Sequence, residues 1–278
     1  MKIKLVLLGI FFLSSCTTFK INYPACVFPD HSPFPGGVIN KIIKISSTEI
    51  SNVKAEQKSV YLCQVDEDHW KVLVPISLSS EIKPIIISNQ GKTLLKVPIL
   101  DKEYRESKIT INNTDLVSPP AEYLPRIKKE LELGKAALSV VSDSYHSALK
   151  MSLPLEGLKS SEFGVKRFIN NEPRNRHTAL DIAAVVGTKI MSPLSGKVLL
   201  VGNFYYRGKT VFLDHGGGMI STYSHLSEIS VKEGQLIKKN EVIGEVGQSG
   251  RVTGPHLHWQ LVLFGVPIDP ELFLERAF

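Results

Sequence analysis

Two histidines stand one residue apart in RVTGPHLHWQ, residues 251–260. Side chains alternate faces along a strand, so His256 and His258 project side by side, about 7 Å apart along the chain. Two such imidazoles can both reach one ion, or one can bind it while the other works on what the ion holds. Upstream, RHTALD sets His177 and Asp181 four residues apart, which keeps both on one face if the segment is extended. Aspartate brings a hard oxygen and histidine a borderline nitrogen, a donor set that suits zinc. Three protein ligands with an open fourth position make a catalytic zinc site, and four closed ligands make a structural one. His225 in TYSHL and His215 in LDHGGG lie in the same region. HxH or HxxxD alone carries little weight. Their combination in one glycine-rich region carries much more.

The elements that must position these side chains are strands. From Leu153 onward the runs SGKVLLVGNFYY, KTVFLDHGGGMISTYSHL, EVIGEV and HLHWQLVLF predict an all-β domain over residues 153–278, with Gly216-Gly217-Gly218 as a hairpin turn. A second set of short β-type runs, from VINKIIKIS to SKITI, recurs at the turn spacing of a small β-sandwich and predicts a domain over residues 36–118. Between them, residues 119–152 read as a helical linker. Leu124, Ile127, Leu131, Leu138 and Val141 recur at near-helical spacing, with Gly134 a candidate break. The fold class is therefore mainly β: a sandwich-like domain, a helical linker and a C-terminal β-domain.

The 278 residues suffice for two domains with cores, and 43% hydrophobic with 22% charged residues excludes disorder as the main state. The net charge of +6 is mild and gives no case for nucleic acid. Residues 1–15, MKIKLVLLGIFFLSS, carry two lysines, an apolar run and small residues, the pattern of a secretory signal too short to span a bilayer. The following Cys16 completes a stretch that resembles the lipobox of bacterial lipoproteins. That resemblance implies lipidation of Cys16 and a membrane anchor. Thr17, rather than Asp, then points to the outer membrane. Residues 16–35 read as a tether. In an exported protein the remaining cysteines, Cys26 and Cys63, are a candidate disulfide.

The segment FGVKRFINNEPRNRHTALDIAAVVGTKIMSPLSGKV, with VFLDHGGGMISTYSHLSEISVKEGQLIKKNEVIGEVGQSGRVTGPHLHWQLVLFGVPIDP, resembles the lysostaphin/LytM-type zinc endopeptidases of bacterial cell walls over roughly residues 155–275. The resemblance implies a LytM-type antiparallel peptidase domain, one Zn²⁺ per chain and peptidoglycan as substrate. It implies zinc ligands His177, Asp181 and His258, with His225 and His256 as a catalytic pair off the metal. The family usually has glycine where this chain has Ala179. His215 matches a recurring family position with no catalytic part, and is expected to be structural. Tyr223, two residues before His225 and so expected on its face of the strand, is either a residue facing the substrate or a packed aromatic, and Asn170, Asn171 and Arg174 either line the substrate groove or form a surface loop. A lipoprotein of this layout suggests a periplasm-facing location, with D-Ala–meso-diaminopimelate cross-links as the favoured target. The alternatives are a catalytically inactive regulator or scaffold of other wall hydrolases, and a biotinyl-type carrier suggested by VKEGQLIKKNEVIGEV; the carrier reading explains none of the histidines.

Overall fold

The computed structural model describes residues 23–110 and 119–275. The expected signal segment and Cys16 lie outside the described residues. The chain is mainly β, as the sequence predicts.

The first part is a sandwich of two small antiparallel sheets. One has the order β1 (Val38–Lys44), β4 (His69–Pro75), β3 (Tyr61–Gln64). The other has the order β2 (Val53–Ala55), β5 (Ile85–Asn89), β6 (Lys92–Val97). Their inward β-branched residues, among them Ile39, Val53, Val72, Val74 and Ile87, form one core. The last run, SKITI, leaves this sandwich. It forms β7 (Glu106–Ile109), which pairs in parallel with β9 (Lys166–Ile169), close to His177 in sequence.

Two linker expectations need correction. The helix α1 spans only Leu124–Leu138 and runs through Gly134 without a break. Residues 139–152 form no helix: Leu149 and Met151 are drawn fully into the main core, where Met151 bridges to Leu274. The tether also ends earlier than Pro35. Phe28 is buried in the main core, Val27 N–H donates to the Ser147 carbonyl at 2.8 Å, and Cys26 is disulfide-bonded to Cys63 with Cα atoms 5.9 Å apart.

The C-terminal part is one ten-stranded antiparallel sheet. Its main path runs β16 (Leu236–Ile237), β13 (Gly196–Phe204), β14 (Gly208–Asp214), β15 (Met219–Ile229), β18 (His256–Leu263), β11 (Leu180–Ala183), β8 (Leu158–Ser161). Strand β12 (Lys189–Met191) pairs with β17 (Val242–Val246), β17 with β15, and β19 (Val266–Ile268) with β18. The short β10 (Glu172–Pro173) turns back on β9. The sheet's center is apolar on its inner face, with Tyr223, Leu257, Trp259 and Leu261 fully buried. Gly216, Gly217 and Gly218 make the β14–β15 turn, all at positive φ. A Cβ on Gly217 would lie 2.4 Å from the Tyr61 ring, so this turn also seats the N-terminal sandwich.

Candidate functional site

Strand register brings the site together. Asp181 on β11 faces His258 on β18, and Ala183 faces His256. On the other flank Ser224 of β15 faces His258. Side chains two apart on β18 share a face, so His256, His258 and Gln260 line one surface while Leu257 and Trp259 fill the core. His177 lies in the segment leading into β11, where its N–H donates to the Val165 carbonyl at 2.9 Å.

Three donor atoms converge. His258 Nδ1 is 2.7 Å from Asp181 Oδ1, His177 Nε2 is 3.1 Å from the same oxygen, and the two nitrogens are 3.4 Å apart. A tetrahedral ion with bonds of about 2.0–2.1 Å needs ligand atoms roughly 3.3 Å apart. The triad therefore fits a metal in donor type and spacing. His177 Nδ1–H donates to the Glu162 carbonyl at 2.8 Å, which directs Nε2 at the cluster, the usual outer support of a ligating histidine. Burial alone would raise the Asp181 pKa. Hydrogen bonds from His177 and His258, and their charge, outweigh it and hold the carboxyl below the usual carboxylate range. Burial pushes His258 down to about 4, against the pull of Asp181.

Two further rings complete the group. His225 and His256 have centroids 4.9 Å apart, and His225 lies 5.6 Å from His258. His225 Nδ1–H donates to the Ser249 carbonyl at 2.9 Å, and His256 Nδ1–H to the Gly254 carbonyl at 2.8 Å. A carbonyl only accepts, so both rings carry their proton on Nδ1 and leave Nε2 as a base. Burial, then the neighboring His258, pushes His225 down to about 3. Its φ of 69° is a left-handed backbone that β-strand residues avoid. The pairing of β15 with β14 and β17 shifts register just around it. Strain of this kind is held where surrounding structure over-determines it, often at functional sites.

That bulge corrects one expectation. Tyr223 is two residues before His225 yet does not share its face. It is fully buried opposite Trp259, and its hydroxyl accepts from Ser221 Oγ at 2.8 Å. His215 is buried with Nδ1 donating to the Ser195 carbonyl, as expected of a structural residue. Ala179 is fully buried and is not among the non-glycine residues with positive φ, so its methyl costs the loop nothing. Asn170 and Asn171, with φ of 53° and 65°, form the exposed tip of the β9–β10 hairpin and are not among the residues that line the cavity beside the triad. Arg174 does line that cavity, of about 250 Å³, with Arg167, Arg176, Arg251, His177 and His258. The three other arginines were missed; the only signal was the density of arginines around the first ligand.

The pattern of Peptidase family M23 matches residues 175–270. A crystal structure of an M23-family protein from Pseudomonas aeruginosa superposes with a TM-score of 0.67 at 33% identity, covering 87% of this chain and 94% of that one. The chain belongs to peptidase family M23. It is 40% identical over 93 residues to the peptidoglycan DD-endopeptidase ShyA of Vibrio cholerae serotype O1, covering 34% of this chain and 22% of that protein. It is 37% identical over 111 residues to the DD-carboxypeptidase/endopeptidase Mpg of Neisseria meningitidis serogroup B, covering 40% of this chain and 26% of that protein. The chain thus spans about a quarter of the length of these curated relatives.

Proposed function

We propose that this chain is a zinc-dependent endopeptidase that hydrolyses peptide cross-links of bacterial peptidoglycan, the D-Ala–meso-diaminopimelate bond being the favored target. The observation that carries the reading is the convergence of His177 Nε2, Asp181 Oδ1 and His258 Nδ1 beside two histidines whose Nε2 atoms are left basic. The names of the related endopeptidases supply the substrate class.

His177, Asp181 and His258 would hold the zinc, which when bound supplies Lewis acidity and a water of lowered pKa. The chain's own part is proton handling. Either His225 or His256 accepts at Nε2 the proton released as water attacks the peptide carbonyl, and the other donates to the departing amine or stabilizes the oxyanion. The Ser249 and Gly254 carbonyls keep Nδ1 protonated and the rings oriented through that exchange. Burial of His225 favors its neutral form, the form able to accept a proton.

Purified protein, chelated and then reloaded with zinc, tests this with mass spectrometry of muropeptides before and after digestion. Zinc-restored loss of cross-linked species is expected. Chelator-insensitive cleavage, or none with zinc loaded, refutes it and favors the scaffold alternative. His225→Ala and His256→Ala should retain zinc while lowering kcat by about 10²- to 10⁴-fold. Loss of zinc from either reverses the division of roles.

The same reading includes export. Residues 1–15 are a signal removed on secretion, Cys16 carries the lipid, and the protein faces the periplasm from the outer membrane, its region from about residue 153 acting as the hydrolase. A Cys16→Ser protein that still fractionates with membranes overturns the anchor.

A further inference from the structure

Arg207 is a half-buried cation whose guanidinium, among the described residues, meets no carboxylate. It donates instead to two neutral oxygens, Thr222 Oγ1 at 3.2 Å and Gln260 Oε1 at 3.1 Å. Thr222 and Gln260 stand directly opposite each other on β15 and β18, on the face that carries His256 and His258. Arginine has N–H donors and no acceptor, so the end of the Gln260 amide that faces it must be the carbonyl oxygen. A flipped amide would set donor against donor in a buried place and leave a bond unmade. The other end of the amide is then the NH₂ group, and it donates to Thr178 Oγ1 at 2.8 Å. A hydroxyl that already accepts still has its own proton to give. Among the described residues nothing accepts that proton, and Thr178 lines the cavity beside the triad together with His177 and His258. One fixed charge thus sets the direction of two hydrogen bonds and leaves Thr178 a donor toward the cavity.

Resting on the hydrolase reading, we propose that the Thr178 hydroxyl donates to a backbone carbonyl of the stem peptide bound in this cavity, and that Arg207, acting through Gln260, holds the hydroxyl in that direction. The position suits such a contact. Thr178 directly follows His177, and Gln260 is two residues beyond His258 on the same face, so the Gln260–Thr178 bond spans the two elements that present the triad. A peptide entering the cavity gives up water at its amide carbonyls, and each such carbonyl then needs a donor. His225 and His256 do not supply one in their neutral form, because their protons are committed to the Ser249 and Gly254 carbonyls. Thr178 alone touches the peptide; Arg207 and Gln260 are positioning residues. The contact forms when the peptide binds and persists through the reaction, so it acts on affinity rather than on turnover.

Two substitutions remove the donor in different ways. Thr178→Val keeps the branched shape and deletes the hydroxyl. Gln260→Glu keeps the bond to Arg207, but both carboxylate oxygens only accept, so the Thr178 hydroxyl must turn inward and donate to the new side chain. Affinity for a synthetic cross-linked muropeptide dimer is measured by calorimetry on the zinc-loaded full chain carrying His256→Ala, which slows turnover. Cleavage is measured on the chain without that change. Each substitution should weaken binding about 10-fold, and in cleavage the loss should appear in KM rather than kcat. The double variant Thr178→Val/Gln260→Glu should bind no more weakly than either single variant, since there is one hydroxyl to lose. Thr178→Ser should recover most of what Thr178→Val loses. Arg207→Met, which frees the Gln260 amide to flip, should weaken binding when Thr178 is present and not when it is combined with Thr178→Val. Thermal melting and zinc content confirm that each variant is folded and loaded. Unchanged affinity in Thr178→Val overturns the contact. A loss in Gln260→Glu or Arg207→Met that is equally large with and without the hydroxyl also overturns it, because the altered charge alone then accounts for the effect. A dimer that binds with the expected pattern but is never cleaved leaves the contact standing and overturns the hydrolase reading, so the two failures are distinct.

Discussion

Gly208→Ala tests whether His225 is held in place by the loop that follows β17 rather than by its own strand. Gly208 opens β14 with φ of 61° and packs directly on Ser249. A Cβ there would lie 2.3 Å from Ser249 Oγ, 2.4 Å from its carbonyl carbon and 2.5 Å from its carbonyl oxygen. Ordinary contact begins at 3.4 Å, so Ser249 must retreat by about 1 Å. The hydrogen bond from His225 Nδ1 to that carbonyl is 2.9 Å long, and a shift of that size along it ends the bond. Ser249 Oγ also donates to the Leu226 carbonyl at 2.7 Å, so the displacement strains the strand next to His225 as well. Misplacing a catalytic group by about 1 Å costs on the order of 10²-fold in rate. The left-handed alanine adds about 1–2 kcal/mol of destabilization by itself. Gly234→Ala is the control. Its φ is 82° and nothing lies within 4 Å of the added methyl, so it carries the backbone strain without the collision. The assay is kcat on a cross-linked muropeptide, with zinc content and chemical denaturation in parallel. We expect both variants to lose stability and keep zinc, with kcat falling about 100-fold in Gly208→Ala only. A Gly208→Ala enzyme that is destabilized but retains wild-type kcat would refute the positioning role of the Ser249 carbonyl.

Replacing His177, Asp181 or His258 with alanine should each weaken zinc affinity by at least about 100-fold, read by competition with a chromogenic chelator; an alanine variant that binds as tightly as wild type removes that residue from the ligand set. His215 should make stability pH-dependent. Burial lowers its pKa to about 4 in the folded protein, whereas the unfolded side chain titrates near 6.5. The unfolded state then binds a proton the folded state refuses, so about 3 kcal/mol is lost as pH falls from 6.5 to 4, and none above 6.5. His225 and His258 act in the same direction, so the test is a difference: the stability gap between wild type and His215→Gln should narrow over that window, and a constant gap contradicts the assignment. Serine at both Cys26 and Cys63, which are 37 residues apart, should lower unfolding free energy by about 4 kcal/mol on the loop-entropy account, and unchanged denaturation would show that packing of Phe28 alone holds the segment.

Much of this site was legible because it rests on period-two alternation. His256 and His258 on one face, with Leu257 and Trp259 on the other, follow from the strand alone. The Gly216–Gly218 turn was equally readable, because three consecutive glycines between alternating runs permit little else. Tyr223 was misplaced by the same rule. Alternation fails where a residue takes positive φ, and nothing in TYSHL marks His225 as that residue. The linker was over-extended for another reason: Val141, Leu149 and Met151 are apolar at spacings that suit either a helix or an extended segment, and only the tertiary core decides. Arg251 and Arg167 lie 84 positions apart, and only the path of β9, β11 and β18 makes them neighbors of one cavity.

The difference between the two histidines of HLH is therefore a matter of register rather than of composition. His258 sits opposite Asp181, so its Nδ1 meets the carboxylate at 2.7 Å. His256 sits opposite Ala183, which offers nothing, and its Nε2 stays 3.9 Å from the same oxygen. A slip of two residues between β11 and β18 would place His256 opposite Asp181 and exchange the roles. A slip of one would turn both rings into the core and bring Trp259 to the metal face. What prevents either is apolar. Leu180 against Trp259 and Ile182 against Leu257 are fully buried pairs, and any slip unpacks both. The core face of the sheet thus decides which nitrogen can serve a metal and which can serve a proton.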